Sequence, residues 1–168
     1  MREKQSDAPP ADPEEVARAI VLRRLTASPR TRAELERSLR ERNVPDDVGE
    51  RVLDRFTEVG LIDDAQYAAA FTESRRQRSG WSRRAIAAKL RERGVPRDLI
   101  LEALTDVGGD DEMHTARDLA GRRWERSGTL APEVRRRRMA AMLARRGYSA
   151  SVVSTVLAEL ESGEPDVD

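Results

Sequence analysis

The residue types that most often carry out chemistry in proteins are scarce in this sequence. Its 168 residues include a single histidine, His114, and no cysteine. A Ser-His-Asp relay needs a nucleophile beside its imidazole, and zinc sites usually take several His or Cys ligands. The segment around His114, DDEMHTARDL, offers neither, and the sequence has no glycine-rich nucleotide-binding motif. We therefore predict a binding protein rather than an enzyme, with no metal and no cofactor.

Two adjacent carboxylates, Asp63 and Asp64, invite a metal-site interpretation. Paired acids bind Mg²⁺, but two acids without a third ligand or a phosphate substrate make a poor site. Asp63 as a helix N-cap and Asp64 at the positive helix end explain both residues. A small metal-dependent enzyme acting through this pair is the least favoured alternative.

The zero net charge of the chain conceals a partition along its length. Residues 1–15 sum to −3 and residues 161–168 to −4, so the body, residues 16–160, carries +7. Both ends are rich in Pro, Asp and Glu and poor in large apolar residues, a composition typical of disorder. The body is predicted to be a moderately basic folded protein between disordered acidic tails.

Apolar residues in the body follow helical spacing. Leu35 and Leu39 are four residues apart, as are Ile86 and Leu90, and this spacing places both members of a pair on one helix face. Runs of alternating β-branched residues do not occur. The chain is predicted to be all-α, with helices near residues 14–27, 31–42, 45–59, 64–78, 82–93, 96–106, 111–126, 133–146 and 149–161.

The sequence also repeats itself. Residues 31–45 read TRAELERSLRERNVP, and residues 82–96 read SRRAIAAKLRERGVP, 51 residues later. After a further 53 residues, MAAMLARRGYS at 139–149 matches the later part of these segments. Thr31 and Ser82 suit helix N-caps, where a hydroxyl accepts from a free backbone amide.

Each repeat reaches a residue that tolerates the left-handed backbone at a helix end, namely Asn43, Gly94 or Gly147. Pro45 and Pro96 then fit the first turn of the next helix. We predict three tandem three-helix modules in an elongated, curved array. The predicted ranges are 15–62, 63–107 and 108–161, with tails at 1–14 and 162–168.

Two segments taken together resemble the bacterial RecX family: GLIDDAQYA at 60–68 and SRRAIAAKLRERGV at 82–95. The resemblance covers roughly residues 15–160 and includes the three-module layout. It implies a regulator that binds the RecA recombinase filament and modulates, mainly inhibits, its ATPase, strand-exchange and co-protease functions. DNA repair, recombination and the SOS response are the processes implied, together with weak binding of single- and double-stranded DNA.

Membrane and export signals are missing from the sequence. No apolar stretch approaches the roughly 20 residues needed to cross a bilayer, and residues 1–15 contain no apolar signal segment. We predict a cytoplasmic monomer that does not contact a membrane.

Basic residues concentrate on the middle helices of the second and third modules. Helix 82–93 sums to +4 and helix 133–146 to +5, whereas helices 45–59 and 96–106 sum to −3 and −2. A helix-turn-helix repressor places the helix after the turn in the major groove, so acidic helices at that place argue against base readout. A basic strip on the middle helices suits a long polyanionic or acidic-patched partner such as a nucleoprotein filament.

Exposed cations on and beside this strip are the predicted contacts with the RecA–DNA filament. Helical geometry turns Arg84 and Arg91 about 140–160° away from Ile86, toward solvent. The full set of candidates is Arg40, Arg75, Arg76, Arg78, Trp81, Arg83, Arg84, Lys89, Arg91, Arg135, Arg137 and Arg138. The alternative is a general DNA-binding protein that uses the same basic surface without RecA.

Overall fold

The computed structural model describes residues 12–163, which form nine α-helices and no β-strand. The helices are α1 (Pro13–Ala27), α2 (Arg32–Arg40), α3 (Asp46–Glu58), α4 (Asp64–Ser79), α5 (Arg83–Glu92), α6 (Arg97–Ala103), α7 (Gly109–Glu125), α8 (Pro132–Arg145) and α9 (Ala150–Ser162). The all-α prediction is confirmed, and no predicted helix end differs from the observed one by more than three residues. Within residues 12–163, no helix is both long enough and apolar enough to cross a membrane.

Helix α1 begins at Pro13 and helix α9 ends at Ser162, so both extend slightly into the ranges predicted as tails. Asp12 caps α1 by accepting from the Glu14 amide at 3.1 Å. Proline at the first helical position has a φ angle that its ring already fixes near the helical value. The rest of the two predicted tails, residues 1–11 and 164–168, lies outside the described residues.

The helix starts and turns follow the local chemistry that the sequence indicates. Thr31 and Glu34 form a capping box at the start of α2, and Ser82 accepts from the Ala85 amide at the start of α5. The left-handed backbone predicted at three turns is present, with φ of +57° at Asn43, +80° at Gly94 and +87° at Gly147. The predicted caps and helix ends are therefore confirmed.

The chain divides into two compact units. Unit 1 contains the described residues up to Tyr67 together with Arg93–Pro96, and unit 2 contains Ala68–Glu92 and the described residues from Arg97 onward. The core of unit 1 is built by α1, α2 and α3, and its largest members include Ile20, Leu35, Leu39, Leu53 and Phe56. In unit 2, α7, α8 and α9 enclose a core that includes Trp124, Met139, Met142, Leu143, Tyr148 and Leu157.

The same joint occurs once inside each unit. In unit 1, the turn at 93–96 packs against the first turn of α2, where the Thr31 hydroxyl donates to the Arg93 carbonyl at 2.6 Å. In unit 2, the turn at 146–148 packs against the first turn of α5, where the Ser82 amide donates to the Arg146 carbonyl at 2.9 Å. Helices α2 and α5 therefore each contact, at their first turn, the glycine turn that lies one repeat later in the sequence.

Helix α8 starts differently from α2 and α5. It begins at Pro132, so the residue that corresponds to the cap Ser82, 53 positions later, lies inside the helix and is Arg135. The Arg135 guanidinium donates to the Trp124 carbonyl at 2.7 Å and to the Ser127 hydroxyl at 3.2 Å. The first turn of α8 is therefore bonded to the end of α7 and does not present the hydroxyl cap found in the other two middle helices.

Candidate functional site

The residues that could carry out acid–base or metal chemistry are not gathered into a centre. His114 is exposed over 76% of its side chain and lies 3.5 Å from Asp118, one turn along the same helix. Among the side chains of residues 12–108 and 111–163, no group of three or more His, Asp or Glu is arranged to hold a metal ion. The side chains left to form a functional site are therefore the charged ones on the surface.

Asp63 and Asp64 hold local structure. The Asp63 carboxylate accepts from the Gln66 amide at 2.8 Å, which confirms the predicted N-cap of α4. Asp64 accepts from the backbone amide of Arg32 at 2.9 Å and so connects the start of α4 to the start of α2 inside unit 1. Burial raises the pKa of Asp64 despite this bond. Both carboxylates therefore have a structural partner, and the Arg32 contact has no signal in the local sequence.

Arg83 is held inside unit 2. Its guanidinium donates to the carbonyl of Leu104 and, at 2.9 Å, to that of Val107, both just beyond the end of α6. Carbonyls at a helix end lack intrahelical partners, and an arginine can satisfy them. The Arg83 side chain is half-buried, so a partner could reach only part of it. We therefore assign Arg83 a mainly structural role.

Arg135 corrects the sequence interpretation most clearly. It was predicted as a filament contact in a run of four arginines, yet it is only 8% exposed. Its guanidinium lies 3.9 Å from the centre of the Trp124 ring and bonds to the Trp124 carbonyl and Ser127. The expectation that Arg135 belongs to an exposed basic surface is wrong, because the extended start of α8 turns this residue toward the end of α7.

Arg75, Arg76 and Trp81 form contacts within unit 2. The Arg75 guanidinium lies 5.0 Å from the Phe71 ring centre and 5.1 Å from that of Trp81, and the two rings meet edge to face. Cation–π contacts contribute about 0.5–1 kcal/mol at exposed sites and up to about 2 kcal/mol where the groups are desolvated. Arg76 pairs with Asp111 at 3.3 Å. These three candidates are half-buried and already partnered, so a protein or DNA could reach only part of each.

Two further candidates form exposed ion pairs. Lys89 contacts both carboxylate oxygens of Glu92 at 2.8 Å. In unit 1, Arg40 pairs with Glu36 and lies 3.5 Å from Asp46. Exposed pairs of this type contribute about 0–1 kcal/mol, so a stronger partner could displace them.

The remaining candidates are exposed arginines of unit 2 that form no ion pair with residues 12–108 or 111–163. Arg84 uses its Nε to donate to the Gly147 carbonyl at 3.2 Å, and Arg91 uses its Nε for the Ala87 carbonyl at 3.3 Å. The terminal guanidinium nitrogens of both residues stay available. We call the following five residues the free arginines: Arg78, Arg84, Arg91, Arg137 and Arg138.

Three arginines of α7 and its C-cap were missed by the sequence analysis. Arg122, Arg123 and Arg126 line a groove together with Arg138 and Arg146 from α8 and its C-cap. The sequence signal was the one-turn spacing of Arg122 and Arg126 at a helix end. That signal does not reveal which arginines of another helix lie across from them.

Sequence models of three domains match this chain in order. The first three-helix domain of RecX matches residues 17–56, the second matches 63–104 and the third matches 110–157. Together these matches cover most of the described chain and fall on α1–α3, α4–α6 and α7–α9.

Curated relatives match over nearly their whole length. A protein named regulatory protein RecX from Thermobifida fusca is 48% identical, over 96% of this chain and 91% of the relative. Its namesake from Mycobacterium ulcerans is 50% identical, over 88% of this chain and 86% of the relative. High identity over such coverage shows that these chains share one domain organisation.

Solved structures show the same fold. The crystal structure of RecX from Lactobacillus salivarius superposes with a TM-score of 0.74 at 21% identity, over 91% of this chain and 99% of that one. A second crystal structure, of a regulatory protein RecX, gives a TM-score of 0.72 at 25% identity, over 87% and 73% of the two chains. The tandem helical architecture is therefore preserved at low sequence identity.

Proposed function

The chain belongs to the RecX family of regulatory proteins, and from this membership we propose that it binds the RecA–DNA filament and mainly inhibits its ATPase, strand-exchange and co-protease activities. The family name describes a regulator rather than a catalyst. In this proposal the protein acts as a cytoplasmic monomer in DNA repair, recombination and the SOS response, without a metal or cofactor.

The observation that carries the proposal is the set of free arginines in unit 2. Arg84 and Arg91 are seven residues apart on α5, which places them within about 20° of each other around the helix axis. Arg137 is the counterpart of Arg84 one repeat later. Guanidinium groups bind phosphates and carboxylates through paired hydrogen bonds. A filament of protein on DNA presents both kinds of anion.

The charge of the third helices favours the filament over bare duplex DNA. Asp46, Asp47 and Glu50 occupy the first part of α3, and α9 contains Glu159 and Glu161 but no basic residue. Insertion of either helix into a major groove would bring carboxylates toward phosphates, which repel them. A protein partner with acidic patches beside the DNA avoids this repulsion.

Inhibition follows, in this proposal, from contacts with more than one filament subunit. ATP turnover and strand exchange require neighbouring subunits to move relative to one another. A ligand that binds one arrangement of the subunits more tightly than another shifts the equilibrium toward that arrangement. Multiple arginine contacts would therefore slow ATP turnover and strand exchange by the filament without blocking its ATP site.

The test measures RecA ATPase on single-stranded DNA with this protein at less than one copy per RecA subunit. The wild type should inhibit, and Arg84→Glu/Arg91→Glu should weaken inhibition by about tenfold or more, because both changes reverse a charge at a single helix face. The matched control is Arg23→Glu/Arg55→Glu, which makes the same charge change at two exposed positions of unit 1. Thermal melting of both variants establishes that they fold.

Two results would overturn the proposal. Absence of inhibition by the wild type removes the RecA role, and equal inhibition by both variants removes the arginine surface. Equal affinity for bare DNA and for the filament, lost steeply as salt rises, would instead support the general DNA-binding alternative.

A further inference from the structure

A groove in unit 2 differs in character from the free arginines of α5. It runs between the last turns of α7, the connection that follows α7, and α8, and its volume is about 610 Å³. This size falls in the range of about 300–1,000 Å³ typical of ligand sites in proteins. Its lining comprises arginines, which we call the rim, leucine and methionine side chains, which we call the floor, and the hydroxyl residues Ser127 and Thr129.

The rim is entirely cationic among its charged residues. The rim arginines are Arg122, Arg123, Arg126, Arg138 and Arg146, and no Asp or Glu whose side chain the structure describes lines the groove. The first four are exposed and form no ion pair with a residue in the ranges 12–108 and 111–163. Arg146 uses its Nε to donate to the Ser79 carbonyl at 2.8 Å. In a chain with equal numbers of acidic and basic residues, five cations without a carboxylate constitute a strong local excess of positive charge.

Helix electrostatics account for only part of this excess. A cation in the last turn of α7 interacts favourably with the negative helix end. That effect falls off within one turn and does not require additional arginines from α8 on the opposite wall. The convergence of two walls of guanidinium groups therefore indicates an anionic ligand.

The floor indicates what else the ligand carries. It contains Leu119, Leu130, Met139 and Met142. Methionine side chains are flexible and polarizable, so they adapt to apolar groups of varied shape. No aromatic ring of the described residues lines the groove, so bases of single-stranded nucleic acid would have no platform there on which to stack. A large aliphatic side chain fits this floor better than a nucleobase does.

We propose that the groove binds an acidic peptide segment of a partner protein, in which a large aliphatic side chain is flanked by Asp or Glu residues. The aliphatic side chain lies on the floor, and the flanking carboxylates form paired hydrogen bonds with the rim arginines. The inference goes beyond the proposed function, because such binding requires neither RecA nor DNA.

The test uses a fluorescein-labelled peptide that contains two adjacent leucines flanked on both sides by glutamates, added to the full chain at about 0.1 M salt. Fluorescence anisotropy reports binding. Arg122→Glu/Arg126→Glu should weaken the affinity by about tenfold or more, because it places two carboxylates against the peptide's own. Arg138→Glu, on the opposite wall, should weaken it as well. The matched control Arg23→Glu/Arg55→Glu should stay within about twofold of the wild type, since surface charge elsewhere acts only at long range.

Altered probes separate the two parts of the proposal. A peptide with serines in place of the leucines and one with glutamines in place of the glutamates should each bind more weakly than the parent peptide. An unlabelled oligo(dT) strand should not displace the peptide. Lack of peptide binding by the wild type, unchanged affinity of both groove variants, unchanged affinity of either altered peptide, or displacement by oligo(dT) would overturn the inference.

Discussion

Gly147 lies against the first turn of α5 so closely that a Cβ atom built on it would stand 2.6 Å from the Cβ of Ala85. The same position is 2.6 Å from the Ser82 hydroxyl. In unit 1, a Cβ on Gly94 would likewise overlap Ala33. Both glycines have positive φ. The two joints therefore require glycine for its conformation and also for its lack of a side chain.

Alanine substitutions at Gly60, Gly94 and Gly147 should separate the cost of backbone strain from the cost of steric overlap. Gly60→Ala introduces strain at φ +74° but meets nothing within 4 Å, so we expect a loss of about 1–2 kcal/mol in unfolding free energy. Gly94→Ala and Gly147→Ala add overpacking and should lose about 2–4 kcal/mol. Urea denaturation of the three variants measures these losses. A loss for Gly60→Ala as large as that for Gly147→Ala would show that backbone conformation alone requires the glycine.

Removal of the Arg135 guanidinium should destabilise unit 2. Arg135→Met keeps most of the aliphatic volume but leaves the buried Trp124 carbonyl without this donor and removes the cation above the ring. We expect a loss of about 3 kcal/mol from the two effects together. Arg136→Met is the neighbouring control, because Arg136 forms an exposed pair with Glu161. That control should lose less than about 1 kcal/mol, and similar losses for both variants would contradict a structural role for Arg135.

Stability should fall at alkaline pH because of Tyr148. Burial raises the pKa of this phenol to about 12, and its hydroxyl donates to the Gly80 carbonyl at 3.0 Å. In the unfolded chain a tyrosine has a pKa near 10. Between about pH 10 and 12 the folded state therefore keeps a proton that the unfolded state releases. The contribution of Tyr148 to the free energy of unfolding is fully present below about pH 10 and is lost across this window.

Urea midpoints measured from pH 8 to 12 test this expectation. The wild type should lose on the order of 2 kcal/mol more than Tyr148→Phe over this range. Burial also raises the pKa of Tyr67, so a smaller alkaline loss should remain in the Tyr148→Phe variant. Parallel pH profiles for the two proteins would contradict the assignment to Tyr148.

Arg83 and Arg84 should act differently although they are neighbours. Arg83→Met removes the donor to two carbonyls beyond α6 and should cost about 1–3 kcal/mol of stability. Arg84→Met removes one exposed bond to the Gly147 carbonyl and should cost less than about 1 kcal/mol. In the RecA ATPase assay, Arg84→Met should reduce inhibition while Arg83→Met reduces it only where the protein unfolds. Weaker inhibition by a folded Arg83→Met variant, with normal inhibition by Arg84→Met, would show that Arg83 makes the contact instead.

The fold was largely predictable from sequence because its signals are local. A cap such as Thr31, a left-handed residue such as Gly94 and a proline such as Pro96 each act within one helical turn, so short segments already indicate where helices start and end. The self-similarity of residues 31–45 and 82–96 then predicted the tandem order. The module ranges and the curved array stay predictions.

The surface was predictable only where helical geometry decides exposure. Arg84 and Arg91 are exposed as their angle to Ile86 indicates. Arg135 was mispredicted because its partners come from residues 124 and 127, and four consecutive arginines look equivalent in sequence. The α7–α8 groove was missed because its walls come from two helices, and their relative placement depends on packing and not on spacing along one helix.

The early start of α8 also limits how a fourth repeat could be added to this chain by gene duplication. A further copy added after α9 would bring its own glycine turn toward the first turn of α8, where an arginine bonded to the end of α7 stands in place of a serine or threonine. Adding one repeat would therefore require a changed start of α8 in the third repeat as well as the duplicated coding sequence.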